Sequence, residues 1–135
     1  MMTAATTLDD IAEAFALFGG WEERYRYLID LGQRLPPMDT ALKTDDTLVR
    51  GCTSRVWLIP SVENGIFHFQ ADSDAQIVRG LVYLLMLAYQ DKPLDDIRTY
   101  DIHAAFSKLG LDGHLSPNRR NGFFAMVERI KAAAL

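Results

Sequence analysis

One cysteine in 135 residues is the scarcest reactive group in this chain. A single thiol cannot close an internal disulfide, and it cannot supply a zinc ribbon, an Fe–S cage or a CxxC redox pair. Positive charge is also short. Fourteen Lys and Arg stand against 18 Asp and Glu, a net charge of -4, whereas modules that track nucleic-acid phosphates are basic on at least one face. The longest apolar run, 81–89, follows Arg79 closely and falls well short of the about 20 residues a membrane-spanning helix needs. It reads as a buried helix. Absent too are GxGxxG, GxxxxGK, HExxH and an EF-hand loop, which lowers nucleotide and metal readings. Residues 1–10 show no basic start leading into an apolar run and a small-residue cleavage site, so a cytoplasmic location is expected. That compartment keeps a lone thiol reduced.

What is present is a chain 49% apolar, long enough to hide roughly two-thirds of its unfolded surface without a disulfide or metal. One domain over 1–135 is expected. A helix over 7–17 carries Asp9 and Asp10 in its first turn and stops at Gly19-Gly20. In the next helix Trp21, Tyr25, Leu28 and Ile29 share a face while Glu22, Glu23, Arg26 and Asp30 lie elsewhere, and Pro36-Pro37 ends it. Over 47–71 the pattern turns to β-branched and aromatic residues, with a hairpin at Glu63-Asn64-Gly65. Three antiparallel strands are expected, the first over 47–50. Ser73 and Gln76 have capping-box spacing for a helix that runs to about Gln90. A short turn at Asp95-Asp96, a helix over 101–108 closed by Gly110, and a last helix opened by Ser116-Pro117 follow. The result is an α+β domain, a small three-stranded sheet packed against helices.

His68, His103 and His114 fall in three different elements with no metal-ligand spacing, and are read as surface or core residues. The pairs Asp45-Asp46 and Asp95-Asp96 are read as solvated loop charge. Cys52 stands apart because of its neighbours. Gly51 gives the backbone freedom to place the thiol at the tip of a tight connection, and Arg50 and Arg55 are cations that favour a thiolate. The plain alternative is that Cys52 is a small buried hydrophobe. A cysteine hydrolase would need a base and an orienting group, for which no local pattern exists. A thiolate that only receives a group from another protein's active site needs neither.

The blocks Arg50-Gly51-Cys52-Thr53-Ser54-Arg55-Val56-Trp57, Ala71-Asp72-Ser73-Asp74-Ala75 with Ile77-Val78-Arg79-Gly80-Leu81, and Leu109-Gly110-Leu111 with His114-Leu115-Ser116-Pro117-Asn118-Arg119 and Asn121-Gly122 resemble the SufE family. Trp21-Glu22-Glu23-Arg24-Tyr25, Leu31-Gly32 and Leu35-Pro36 agree. The resemblance implies the α+β fold that SufE shares with NifU-like scaffolds. It also implies a sulfur acceptor and activator for a pyridoxal-phosphate cysteine desulfurase (SufS- or CsdA-like), passing sulfur to a cluster scaffold. Cys52 matches the acceptor, with Gly51, Ser54 and Arg55 as loop support. Arg119 and Asp74 match positions that imply partner contact, although a first-turn acid such as Asp74 already has a structural reason to be there. Scaffolds use several cysteines, so a scaffold role is nearly excluded. No cofactor or metal of its own, no nucleic acid and no membrane are implied. The acidic balance suggests a partner with basic patches. The SufE and CsdE-like branches, and monomer and homodimer, stay open, as does a regulatory domain that contacts a desulfurase without taking sulfur.

Overall fold

The computed structural model describes residues 7–50 and 54–135. The opening helix α1 (Leu8–Leu17) starts at a full capping box: the Thr7 hydroxyl accepts from the Asp10 amide, and the Asp10 carboxylate accepts from the Thr7 amide. These two bonds satisfy donors that a helix start otherwise leaves open. The next helix, α2 (Trp21–Gly32), buries Leu28 and Leu31 and ends before Pro36-Pro37 reach it. A 3-10 turn at Thr40–Leu42 follows.

A long hairpin then pairs β1 (Val56–Glu63) with β2 (Ile66–Ser73) in register from Val56 opposite Ser73 to Glu63 opposite Ile66. Its two-residue turn has Asn64 at φ 54° and Gly65 at φ 77°, the left-handed pair that a tight hairpin demands. Val56, Leu58, Phe67, Phe69 and Ala71 turn one face of this ribbon into the core. The central helix α3 (Gln76–Tyr89) lies between that face and α2, and residues buried on several sides of it make it the spine of the molecule. A short strand β3 (Lys92–Pro93) pairs with Ile66 and Phe67, giving the order β1-β2-β3. Helices α4 (Leu94–Thr99), α5 (Ile102–Lys108) and α6 (Pro117–Ala133) close the chain. The Asp101 carboxylate caps α5, and the Ser116 hydroxyl accepts from the Arg119 amide at the head of α6. Among the described residues no helix is long and apolar enough to cross a membrane.

The α+β class and the three-stranded antiparallel sheet agree with the sequence reading, but two details differ. The third strand is Lys92–Pro93, not 47–50. The latter makes one bridge, Leu48 opposite Trp57, with bonds from Val49 N to Val56 O (2.7 Å) and from Leu58 N to Thr47 O (2.8 Å). A turn at its start, with Thr47 N bonded to Thr44 O, cuts the pairing short. The two-residue β3 had no hydrophobic pattern to announce it, and proline is tolerated there because the strand lies at the sheet edge. The capping box at Ser73 is not formed either. The N-cap of α3 is Ala75 and has no side-chain bond, while the Ser73 hydroxyl donates to Arg55 O at 2.7 Å. Its oxygen accepts from Ala75 N at 3.2 Å, closing a short turn, because Ser73 is still the last residue of β2 and the helix begins only at Gln76.

The edge of β2 beyond β3 is closed by a side chain. The Gln90 amide accepts from Phe69 N and donates to Phe69 O, both at 2.8 Å, standing in for a strand where β3 has already ended. Each exposed edge group so paired is one less template for pairing with another chain.

Candidate functional site

Cys52, with Gly51 and Thr53, lies outside the described residues, and the site is built from what flanks them. The segment before Cys52 is held on two sides. Toward β1 it makes the two backbone bonds of the Leu48 bridge. Away from β1, the Arg129 guanidinium of α6 donates to Asp46 O at 2.9 Å and to Leu48 O at 3.1 Å. Inside the segment, the Thr47 hydroxyl donates to Leu42 O and accepts from Thr44 N. The segment after Cys52 is held by the end of the hairpin. Arg55 N donates to the Asp74 carboxylate at 3.1 Å, and Arg55 O accepts from both Asp74 N and the Ser73 hydroxyl. Both stems are thus fixed on the sheet and α6.

Asp72 organises the ground beneath. Trp57 and Asp72 are register partners, and Lys43 reaches both, with Nζ 2.9 Å from Asp72 Oδ2 and 5.1 Å from the centre of the Trp57 ring. Arg79 Nε of α3 lies 3.0 Å from Asp72 Oδ1, a pair held by charge rather than by an aligned hydrogen bond. Asp72 Oδ1 also accepts from Ser73 N. One carboxylate so joins the 40–49 segment, the hairpin and α3. Its side chain is only 13% exposed, so removing it strands two cations in a partly dry place. Asp72→Ala is expected to lower stability by about 2 kcal/mol, below the full cost of breaking a buried pair because Lys43 and Arg79 can partly reach water. Urea denaturation measures it, and an unchanged midpoint would contradict this role.

Beside the stems is a small, mainly apolar cavity of about 30 Å³, lined by Ser54, Val56, Val78, Leu81 and the α6 residues Asn118, Arg119, Gly122, Phe123 and Met126. Its volume suits one or two small atoms. It brings together Ser54, two residues beyond Cys52, and Arg119, sixty-five residues further along the chain than Ser54. Arg50, Arg55 and Arg119 are all exposed. Asp74 is not at this wall. Its carboxylate is committed to the Arg55 amide, which makes it a support of the loop stem. The head of α6 is itself anchored: the Trp21 and His114 rings stack at 4.0 Å, and the Tyr25 hydroxyl donates to His114 O. The other histidines are elsewhere, His68 paired with Asp91 and His103 stacked on Phe124.

Sequence reasoning passed over Lys43, Asp72 and Arg129. A signal for Arg129 exists in hindsight: Arg119, Gly122, Met126 and Arg129 recur at spacings of three and four, one face of a helix.

Residues 9–134 match the family model described as SufE, Fe-S metabolism associated domain. The chain belongs to the SufE family. A SufE-like protein of Rhizobium etli is 43% identical over 132 residues, covering 95% of this chain and 89% of the relative. A SufE-like protein of Rhizobium meliloti is 41% identical over 133 residues, covering 96% and 95%. The solution structure of a hypothetical protein from Thermus thermophilus superposes with a TM-score of 0.74 at 19% identity, covering 94% of this chain and 92% of that one, a likeness of fold. SufE membership ties the chain to sulfur transfer in Fe–S metabolism, in a carrier or activator role rather than that of a conventional enzyme, and to a family associated with cysteine desulfurases.

Proposed function

We propose that this protein, acting as one SufE-like domain over 1–135, accepts sulfane sulfur on Cys52 from a pyridoxal-phosphate cysteine desulfurase, stimulates that enzyme, and passes the sulfur to a cluster scaffold. The observation that carries the reading is that the only thiol of a SufE-family chain falls in sequence between two anchored stems, the second of which, through Ser54, lines a small apolar cavity together with Arg119. The Cys52 thiolate attacks the outer sulfur of the desulfurase persulfide. A new S–S bond forms on Cys52, the bond to the desulfurase cysteine breaks, and that cysteine leaves as thiolate, so no outside oxidant or reductant is consumed.

The acid–base work of releasing sulfur from cysteine belongs to the desulfurase and its cofactor, which explains why a carrier needs no base of its own. What the carrier supplies is a nucleophile and a shelter. Two residues of chain span at most about 7 Å, so Cys52 is within reach of the cavity that Ser54 lines. A persulfide held there would be screened from oxidants and stray thiols between deliveries, both of which would discharge it. The exposed Arg50 and Arg55 favour the thiolate needed for attack, and Arg119 at the cavity wall offers a cation to the partner. We place this step in the cytoplasm.

Adding the protein to a cysteine desulfurase and cysteine is expected to raise the rate of alanine formation several-fold, with saturation as the carrier is increased. A rate no higher than with an unrelated protein at equal concentration would refute the reading.

A further inference from the structure

From the contacts of α2 with the segment that leads into α6 we infer that Trp21 and His114 are positioning residues for Arg119. Their stacked rings fix the 110–116 segment on α2, and through it the direction in which the first turn of α6 presents Arg119 to the desulfurase. The inference rests on the reading of this protein as a carrier that docks on a desulfurase, but its first test does not need that enzyme.

The body of α6 packs on α3, β1 and α4, but its first turn hides no side chain of its own. Leu115 ahead of it is buried, and from there to Gly122 no residue is. Asn118 and Arg119 border the cavity beside Ser54 and otherwise face outward. The order of this turn therefore comes largely from the segment before it. Ser116 accepts from Arg119 N through its hydroxyl at 3.3 Å and from Arg120 N through its carbonyl at 3.0 Å, two amides that a helix start leaves without partners inside the helix. Arg120 Nη1 reaches back to donate to Asp112 O at 3.1 Å. The first turn is thus tied to the 110–116 segment, and where that segment sits, Arg119 follows.

Leu111 and Leu115 bury their side chains in the core, a hold that has no direction of its own. Direction comes from α2. The His114 ring lies on the Trp21 indole with centres 4.0 Å apart and planes 12° from parallel. The Tyr25 hydroxyl, one helical turn beyond Trp21, donates to His114 O. Gly110, at φ 75°, passes so close to the same indole that a Cβ there would stand 3.1 Å from Trp21 Cζ2. The imidazole is also held from its own side, since Nδ1 lies 3.0 Å from Gly110 O, and a carbonyl only accepts, so Nδ1 carries the proton. The indole beneath is itself fixed. Phe15 meets it edge-on at 5.8 Å, and the Arg24 guanidinium, bonded through Nε to Phe15 O at 3.0 Å, lies 5.0 Å from its centre. Trp21 and His114 therefore clamp one end of a short rigid path whose other end is Arg119.

The test uses the full-length protein with His114→Ala, His114→Phe and, as a stability control, Ile130→Val. His114 is exposed, so its loss removes the stack without opening the core, whereas Ile130 is fully buried on α6 far from its first turn. Amide hydrogen exchange and the unfolding midpoint are measured for each variant without desulfurase. His114→Ala is expected to speed exchange of the Arg120 amide at least fivefold while the Val127 amide of the same helix stays within twofold, the mark of a local rather than a global opening. His114→Phe, which keeps a ring on Trp21, is expected to recover part of the difference. In the desulfurase assay His114→Ala is expected to raise the carrier concentration giving half-maximal stimulation at least threefold and to leave the maximum almost unchanged. In an Arg119→Ala background the same substitution is expected to add almost nothing, because a residue that acts through another has no separate effect once that other is gone. An Arg120 exchange rate in His114→Ala within twofold of the wild type would overturn the inference, as would a full further loss in the Arg119→Ala background or an equal shift in Ile130→Val. If the wild type stimulates no desulfurase while exchange in His114→Ala still rises, the clamp stands and the carrier reading fails.

Discussion

Gly80→Ala is expected to destabilise the protein by about 3 kcal/mol or more, enough to bring a domain of ordinary stability close to unfolding. The cause is the contact between α2 and α3. A Cβ on Gly80 would stand 2.2 Å from Leu28 O and 2.7 Å from Leu28 C, and a Cβ on Gly32 would stand 2.7 Å from Gly80 N. Both obstacles are backbone, so no side chain can swing aside, and the two helices must separate. Alanine's better helix propensity returns only about 1 kcal/mol. Separation would also open the packing of Leu28, Leu31, Leu81 and Leu84, each fully or almost fully buried. Gly113→Ala is the matching control, since nothing lies within 4 Å of its added Cβ, and it is expected to stay within about 0.5 kcal/mol of the wild type. Urea midpoints that do not separate the two variants would contradict the close approach of the helices.

Cys52→Ser is expected to abolish sulfur uptake while leaving the unfolding midpoint almost unchanged. A hydroxyl has nearly the thiol's shape but is not ionised near neutral pH and does not form a stable sulfur adduct by thiol exchange. No second thiol in the chain can take over. The same variant separates the carrier from a regulator. If the protein only regulates a desulfurase by contact, stimulation survives the substitution. If it carries sulfur, stimulation falls with uptake, because the desulfurase persulfide is no longer cleared.

Much of this fold could be read from sequence, for local reasons. Thr7 with Asp10, Asn64-Gly65 and Ser116-Pro117 each declare a helix start or a turn through bonds made within a few residues, and the aromatic stripe from Trp21 follows helical spacing. The misreadings came where a distant group decided the outcome. Ser73 has the spacing of a cap, yet pairing with Val56 across the hairpin keeps it in β2, and the helix starts beyond it. The 47–50 segment has a strand's residues, yet a turn limits it to one bridge. Lys92–Pro93 looks like a loop and pairs because α3 ends beside the open edge of β2.

The same division runs through the candidate site. Cys52 and its neighbours are conspicuous in one dimension, because a single thiol after a glycine and between arginines has few readings. The supports are not. Asp74 resembles a first-turn acid, and its role as acceptor for Arg55 N depends on the hairpin register. Arg129 is 77 residues beyond Cys52 in sequence, and only the packing of α6 against the 46–48 segment makes it relevant. Asp72 gathers Lys43 and Arg79 from opposite directions along the chain.

The most direct test of sulfur carriage is the intact mass of the protein after brief mixing with a cysteine desulfurase and cysteine. The expected result is a gain of one sulfur atom, removed by a thiol reductant, located on the peptide containing Cys52 and absent from Cys52→Ser. A wild-type mass that stays unchanged while the desulfurase turns over would contradict sulfur carriage on Cys52.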